Sequence, residues 1–366
     1  MITISNDINI KDLPDYPISP GETLKETLEV LGMSQTELAR RMARPKKTIN
    51  EIIHAKAAIT ADTALQLERV LGVTSKFWLN LEANYQMVKA RTEELKKLTH
   101  EIKYVDKFPY AQMAKLGWVR KTSDKLEKAS ELLNFFGTVT LSNLELVKNI
   151  SYRKDSHKKV SPESLTAWAR RGELLARDVK TDKYNRRSFL NSLEEIKSLT
   201  RTMGDGFDSK LQNICAQAGV AVMFVPHLEK TYVNGSTRWL TPIKALIQLS
   251  IRYKYQDIFW FTFFHEAAHI LLHGKSDTFV DVDDQAKSSK ELEANQWASN
   301  FLIDPYAYKN FINNNGFSIG SIEEFAKHQN VAVGIVIGRL LHDDLISYSK
   351  WDRYRRKLFW RGEIAS

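Results

Sequence analysis

The chain has 366 residues, 43% of them hydrophobic and 27% charged, a length for two or three domains and a balance that excludes a disordered polypeptide. No apolar stretch approaches the length of a membrane span, and a single cysteine, Cys215, excludes a disulfide framework and a Cys-based zinc site. The net charge of +9 sits in residues 84–200, which carry 24 Lys and Arg against 15 Asp and Glu, while residues 1–80 are neutral. Such a field favours nucleic acid or an acidic partner, and a solvated Lys/Arg helix surface gives the same count. The opening residues lack the basic start and apolar core of a secretory signal, so the expectation is a cytoplasmic protein without membrane association.

In chain order, Pro20-Gly21 opens a helical pattern that lasts to about residue 83. Gly32, Ala43-Arg44-Pro45, Ile59-Thr60 and Gly72 punctuate it, with Ser34, Thr60 and Ser75 as cap candidates. Five helices of roughly 8–14 residues make this a compact helical domain, expected over residues 1–83. Residues 38–60 have the layout of a helix-turn-helix. Its first helix, 34–42, crosses the DNA backbone, and Ser34 and Gln35 reach a phosphate through the helix start. A tight turn at Ala43-Arg44 leads to a second helix, 45–53, with Pro45 at its first position. That helix turns Ile49, Ile52 and Ile53 inward and exposes Lys46, Lys47 and Asn50. Lys suits guanine or phosphate and Asn suits adenine, so the exposed set fits the major groove. Arg40, Arg41, Arg44, Lys46 and Lys47 place five positive charges in eight positions without an acid, which a plain helical bundle does not need.

Pro20-Gly-Glu-Thr-Leu24, Ser34-Gln-Thr-Glu-Leu-Ala39, Thr48-Ile-Asn-Glu-Ile52, Ile59-Thr60 and Phe77-Trp-Leu-Asn-Leu81 together resemble the HigA family of antitoxins. These belong to the lambda-repressor-like (XRE) helix-turn-helix class, and the resemblance spans about residues 17–86. It implies a homodimer that binds a palindromic operator in double-stranded DNA and usually a toxin partner. The chain departs from the family at Ala43, where the turn usually has Gly, and at Arg44, where an apolar residue is usual.

Residues 84–203 read as a basic, mainly helical middle region with Trp118, Trp168 and scattered Leu as packing anchors. The texture changes near residue 203, where Gly204-Asp205-Gly206 signals a turn. Residues 220–225 are a compact apolar run ending at Pro226, a buried strand. Residues 231–240 and 245–251 are two further strands, separated by Thr241-Pro242, and helices return from Phe259. Residues 204–366 therefore form a small α+β domain, and the fold class expected is mainly α with a C-terminal α+β domain.

His265-Glu-Ala-Ala-His269 is an H-E-x-x-H on a helical stretch, entered from the apolar run 258–264. Two imidazoles four residues apart share one helix face and can hold one Zn²⁺, while Glu266 can take the proton of a water as general base. A third ligand is available on the acidic helix that follows. Glu291, Ala294, Asn295, Ala298 and Leu302 share one of its faces, so Glu291 is expected to ligate and Asn295 to hydrogen-bond a ligand histidine. Glu293 falls on a different face, with Trp297 and Phe301, and is the lesser candidate. Three protein ligands plus water leave the open position that catalysis requires.

This segment resembles the ImmA/IrrE metallopeptidases over about residues 205–310, in H-E-x-x-H followed by Glu291-x-x-Ala-Asn-x-Trp-Ala298 and a closing Ile303-Asp-Pro305. Trp297 stands where Phe is commoner, and Ile303-Asp-Pro305 replaces a Met-Pro ending. The resemblance implies a gluzincin-like endopeptidase, often one that cleaves or controls a repressor, so a peptide or repressor substrate is expected. An extended substrate could add to the strand at 245–251. His273 lies four residues past His269, where it could stabilise an oxyanion or stand behind the ligands at the helix end. Core or surface roles are expected for His227, His328 and His342, and a buried structural thiol for Cys215.

The composite reading is a DNA-binding regulator, the antitoxin of a toxin–antitoxin module, with a zinc-dependent endopeptidase domain. The alternative is a regulator whose peptidase-like domain senses a ligand or partner without cutting. A purely structural zinc site is disfavoured, because such sites use four protein ligands, typically with Cys.

Overall fold

Side-chain caps set the starts of the N-terminal helices. Ser19, Ser34 and Thr60 each stand in extended backbone and accept a hydrogen bond from the backbone N–H three residues on. A computed structural model describes residues 18–142, 144, 160–202, 204, 206–274, 279–282, 289–314 and 317–360, with the backbone alone at 279–282 and 314. It divides into two compact units, Met1–Ile102 and Lys103–Ser366. The first holds α1 (Pro20–Val30), α2 (Gln35–Arg41), α3 (Lys46–Ile53), α4 (Ala61–Leu71) and most of α5 (Ser75–Val105). Among the described residues no helix is long and apolar enough to cross a membrane.

Two details differ from the sequence reading. The cap of α5 is Thr74, whose Oγ1 accepts from the Phe77 N–H at 3.3 Å, rather than Ser75. The helix then runs 31 residues, because no Gly or Pro interrupts residues 84–105, so the expected boundary at residue 83 falls inside it. Leu24, Leu38, Ile49, Leu67 and Trp78 fill the core of this unit. α1 crosses α3 closely at Gly21, where a Cβ would lie 2.3 Å from the Ile52 carbonyl oxygen, so no larger residue fits.

The second unit begins with α6 (Tyr110–Lys115), α7 (Lys125–Phe136), α8 (Pro162–Arg177), α9 (Arg186–Leu199) and α10 (Phe207–Gln217). β1 (Val220–Phe224), β2 (Val233–Thr241), β3 (Lys244–Leu249), α11 (Gln256–Leu272), β4 (Phe279–Val282) and α12 (Ser289–Leu302) follow. α13 (Pro305–Asn314), α14 (Ile319–His328), α15 (Val333–His342) and α16 (Tyr348–Trp351) complete it. The strands form one sheet in the order β1-β3-β2-β4, with β1 parallel to β3 and the other pairs antiparallel. β3 is therefore an interior strand with both edges paired, and the expected addition of a substrate there is ruled out. The sequence reading also lacked β4.

Alternation along the strands assigns the two faces of the sheet. Arg238 and Gln248 point to α8, where they donate to the carbonyls of Ala169 (3.1 Å) and Trp168 (2.7 Å). Gly235 and Thr237 point the other way, to α11. Trp168 itself donates from Nε1 to the Val225 carbonyl at 3.0 Å. Phe189, Leu193 and Ile196 of α9 share the core with β1, β3 and α11. Residues 160–202 are thus part of the α+β unit, and a border at residue 203 cuts through its core. The basic surplus of the middle region is partly matched locally, with Arg170 and Arg177 on Glu173, Lys125 on Asp106 and Lys96 on Glu93.

The turn before α3 stores strain. Ala43 has φ +50°, inside the left-handed region, and lets the Arg44 N–H reach the Ala39 carbonyl at 2.9 Å. A Cβ in that region costs about 1–2 kcal/mol, which glycine avoids at some loss of unfolded-state entropy. Ala43→Gly should therefore stabilise the first unit by about 0.5–1 kcal/mol. Hydrogen exchange of the α2 and α3 amides should slow severalfold, and unchanged or faster exchange would contradict a strained turn.

Candidate metal centre and nucleic-acid interface

α11 is apolar nearly all round and is buried accordingly. Phe263 and Phe264 are fully enclosed, each contributing about 1.5–3 kcal/mol by burial. The same helix carries His265 and His269 four residues apart, at 2% and 1% exposure. α12 packs against it through Ala294, Ala298 and Leu302, and small residues at the first two positions let the helices approach closely. One turn before Ala294, Glu291 reaches over the imidazole pair.

Its Oε2 lies 3.0 Å from His265 Nε2 and 3.5 Å from His269 Nε2, and the two Nε2 atoms are 3.0 Å apart. Donors at zinc–nitrogen distances around a tetrahedral Zn²⁺ stand about 3.3 Å from one another, so this triangle suits the ion. The charge states suit it as well. Burial pushes Glu291 up, but hydrogen bonds from His265 and His269 outweigh it and hold the carboxyl at about 2. Burial brings His269 down to about 4, more than Glu291 restores, so its imidazole is neutral at pH 7.

Glu266 is fully buried beside this triangle. Its backbone carbonyl accepts from Thr237 Oγ1 at 3.0 Å. On the same strand, a Cβ at Gly235 would come within 2.7 Å of Glu266 Oε1 and 2.8 Å of Thr262 Cγ2. Gly235 thus makes room for the carboxylate. A glycine inside a strand pattern signals such a close approach, and the sequence reading passed over it.

The remaining expectations fall out differently. Among the described residues, the bond expected from Asn295 to a ligand histidine does not form; Asn295 is half-buried one turn beyond Glu291. His273 occupies that role instead, with Nδ1 2.9 Å from His269 Nδ1. Glu293 lies outside the triangle, its Oε2 3.3 Å from His273 Nε2. Cys215 is buried and its thiol pushed up by burial, far from a reactive thiolate. His328 and His342 stand near Glu324 and Asp343 on the surface, and His227 is lowered by burial.

In the first unit, Ser34 caps α2 and Gln35 is its first residue. α3 starts at Lys46, with Pro45 in the cap position rather than the first turn. Lys46, Lys47 and Asn50 are exposed while Ile49, Ile52 and Ile53 are buried, the two faces expected of a recognition helix. The basic cluster is less free than its sequence suggests. Arg40 and Arg41 both pair with Glu37, at 2.8 and 2.7 Å, and their hydrogen bonds hold its carboxyl down at about 2. Arg44 donates to Gln66 at 2.6 Å and to Asp62, which ties the turn to α4. A DNA contact by Arg44 would have to displace both. Lys47 has Glu51 at 3.8 Å, and Lys46 pairs with no carboxylate among the described residues.

Replacing Gly235 with Ala should force Glu266 and Thr262 aside and destabilise the unit by about 1–3 kcal/mol. Zinc stoichiometry should persist, because the three donors of the triangle lie outside the clash. An unchanged melting temperature would show that the close approach is not real.

Residues 215–340 match the IrrE N-terminal-like domain of the M78 peptidases, and residues 24–78 match a helix-turn-helix family. Virulence-associated protein I of Dichelobacter nodosus is 38% identical over 78 residues, which is 21% of this chain and 72% of that protein. Antitoxin HigA-1 of Vibrio cholerae is 39% identical over 67 residues, 18% of this chain and 63% of its own. A solved addiction module antidote protein of a HigA family from Coxiella burnetii is 41% identical, covering 24% of this chain and 95% of that one, with a TM-score of 0.22. Pseudomonas aeruginosa antitoxin HigA, solved with the higBA promoter, is 35% identical over 23% of this chain and 94% of its own, also at a TM-score of 0.22.

Proposed function

We propose that this chain, which belongs to the XRE-type helix-turn-helix family with HigA antitoxin relatives and carries an IrrE N-terminal-like peptidase domain, is an operator-binding antitoxin joined to a zinc endopeptidase. The observation that carries the enzymatic half is the convergence of His265, His269 and Glu291 with Glu266 buried alongside. Zn²⁺ held by the triangle would supply Lewis acidity, polarising a peptide carbonyl and acidifying a water. Glu266 takes the proton of the attacking water and returns it to the leaving amine. His269 presents a neutral nitrogen beside that of His265, and Glu291 contributes the negative charge. An extended substrate would add to β4, the outer strand that pairs with the β2 residues lying against Glu266. The edge of β1 is less suited, since Trp168 and Gln212 side chains already bond carbonyls there and just beyond its end.

DNA binding is carried by α3, with Lys46, Lys47 and Asn50 toward the major groove and Ser34 and Gln35 at a phosphate. A homodimer on a palindromic operator, and a toxin as the second partner, complete this reading.

Metal analysis and a peptide-library digest test the enzymatic half together. Wild type should bind one zinc and cut; alanine at His265 or His269, or glutamine at Glu291, should lose the metal. Glu266→Gln should keep zinc and lose at least about 10²-fold in cleavage, because only the base is removed. Glu293→Gln should retain one zinc. Full zinc with no cleavage of any peptide or partner would move the domain to a ligand sensor.

A gel shift on the chain's own promoter tests the other half. The Lys46/Lys47 double alanine should weaken binding, and the slope of its salt dependence should fall by about 0.9 for each phosphate no longer neutralised. Asn50→Ala should relax preference at one base pair by about 1–3 kcal/mol. Unchanged binding in the double variant would remove α3 from the groove.

A further inference from the structure

Residues 201–366 carry 19 Lys and Arg against 18 Asp and Glu, yet residues 252–255 and 348–360 hold seven of those cations and one of the acids. Aromatic side chains are interleaved with them, as in Arg252-Tyr-Lys-Tyr255 and Arg353-Tyr-Arg-Arg-Lys-Leu-Phe359. The fold joins the two stretches. Tyr255 and Lys357 form an antiparallel bridge, the Gln256 N–H donates to the Arg356 carbonyl at 2.9 Å, and the Leu358 N–H donates to the Lys254 carbonyl at 2.6 Å. We propose that this short ribbon, with α16 beside it, is a binding surface for single-stranded nucleic acid.

A single strand is held where a ring and a cation stand together, the ring under a base and the cation at the neighbouring phosphate. That pairing recurs along the ribbon. Arg252 lies 4.7 Å from the centre of the Tyr253 ring, Arg353 4.9 Å from Tyr354, Lys254 5.6 Å from Phe359 and Lys357 5.8 Å from Tyr255. Arg355 bridges to α16, 4.0 Å from the Tyr255 ring and 6.0 Å from Tyr348. The rings stay accessible, with Tyr348, Tyr253 and Phe359 at 59%, 38% and 37% exposure. The nearby acids are already engaged: Asp257 is buried against Arg355, and Asp352 accepts from Arg355 at 3.1 Å and from the Tyr255 hydroxyl at 2.9 Å.

The rings decide the class of ligand. A duplex hides its base faces and an acidic peptide has none, so either would use the cations and leave the rings idle. A strand with unstacked bases uses both. An apolar recess adjoins the cations as well, since the cleft lined by Arg252, Tyr253, Lys254 and Tyr255 is also lined by Ile258 and Phe259. Ile251 and Lys254 hold left-handed backbone there, at φ +53° and +57°, strain of the kind that collects at binding sites.

Fluorescence anisotropy of the full-length chain with a labelled oligothymidylate of about 12 nucleotides tests the surface, and oligouridylate serves as the RNA arm. Wild type should bind both, and the tighter of the two identifies the natural strand. Tyr253→Ala and Tyr348→Ala should each weaken binding about fivefold or more. Arg353→Ala combined with Lys357→Ala should lower the slope of the salt dependence by about 0.7 for each phosphate no longer neutralised. All four side chains are exposed, so the melting temperature should not move. The Lys46/Lys47 double alanine should bind these strands as wild type does, which separates the surface from α3. No arm depends on zinc or cleavage, so failure here leaves the peptidase reading untouched. Strand binding that is absent in wild type, lost in the Lys46/Lys47 variant, or unchanged in both the tyrosine and the Arg353/Lys357 variants would overturn the proposal. Equal binding of an abasic strand of the same length would remove the rings from it. Polyglutamate displacing the strand as well as unlabelled strand does would overturn it in favour of an acidic protein partner.

Discussion

The whole C-terminal unit is organised around one demand: α11 must bury two imidazoles and a carboxylate in the middle of an apolar core. Polar groups taken out of water without partners cost several kcal/mol each. For the two imidazoles the cost is offset by convergence. Glu291 closes on both histidines from α12, Thr237 bonds the backbone at Glu266, and Gly235 leaves the volume the carboxylate needs. The sheet order serves the same end, since β2, the strand with the glycine, lies between β3 and β4 and directly under the helix.

Much of this was legible because the signals are local. H-E-x-x-H is a helix-face pattern, and the i, i+3, i+4 rule puts Glu291 rather than Glu293 on the face of α12 that packs on α11, where its carboxylate meets both histidines. Three of the four strands were readable from apolar runs and Thr241-Pro242. What was hidden depends on tertiary pairing. β4 is a four-residue strand whose role comes from its partner β2 rather than from its own pattern. The attachment of α8 and α9 to the sheet rests on contacts such as Trp168 to Val225, 57 positions apart. Asn295 was placed by helix periodicity alone, which gives the face but not the reach of a side chain; His273, just beyond the helix end, has the shorter path to His269.

The helix-turn-helix unit shows the complementary limit. Charge counted along the sequence gives five cations in eight positions, yet folding assigns three of them to Glu37, Asp62 and Gln66. Exposed pairs of this kind contribute little stability, so Arg40 and Arg41 can exchange Glu37 for phosphate at small cost. Arg44 is different, because its bonds reach from the turn to α4. The chain thus combines a strained Ala43 with an Arg44 that pins the same turn, and the position of α3 depends on both.

A candidate metal centre that takes two of its three donors from one helix also requires that the helix not slide or rotate, since one residue of slip turns a side chain by about 100°. α11 is held at both ends. At its start, the buried Asp257 is bound by Arg355 at 2.7 Å, Gln256 donates from its backbone to Arg356 and from its side chain to Thr200, and Tyr255 bonds Asp352. Burial pushes the Asp257 carboxyl up while Arg355 opposes the rise, so removing Arg355 would leave a buried acid without its counter-charge. At the far end, His273 holds the last turn through His269 and reaches out to Glu293. The two anchors come from segments far apart in the sequence, one near the close of the chain and one on α12. They convert a helix that the hydrophobic effect alone would only bury into one whose rotation is specified, and that specification is what lets three donor atoms meet at ion-binding distance.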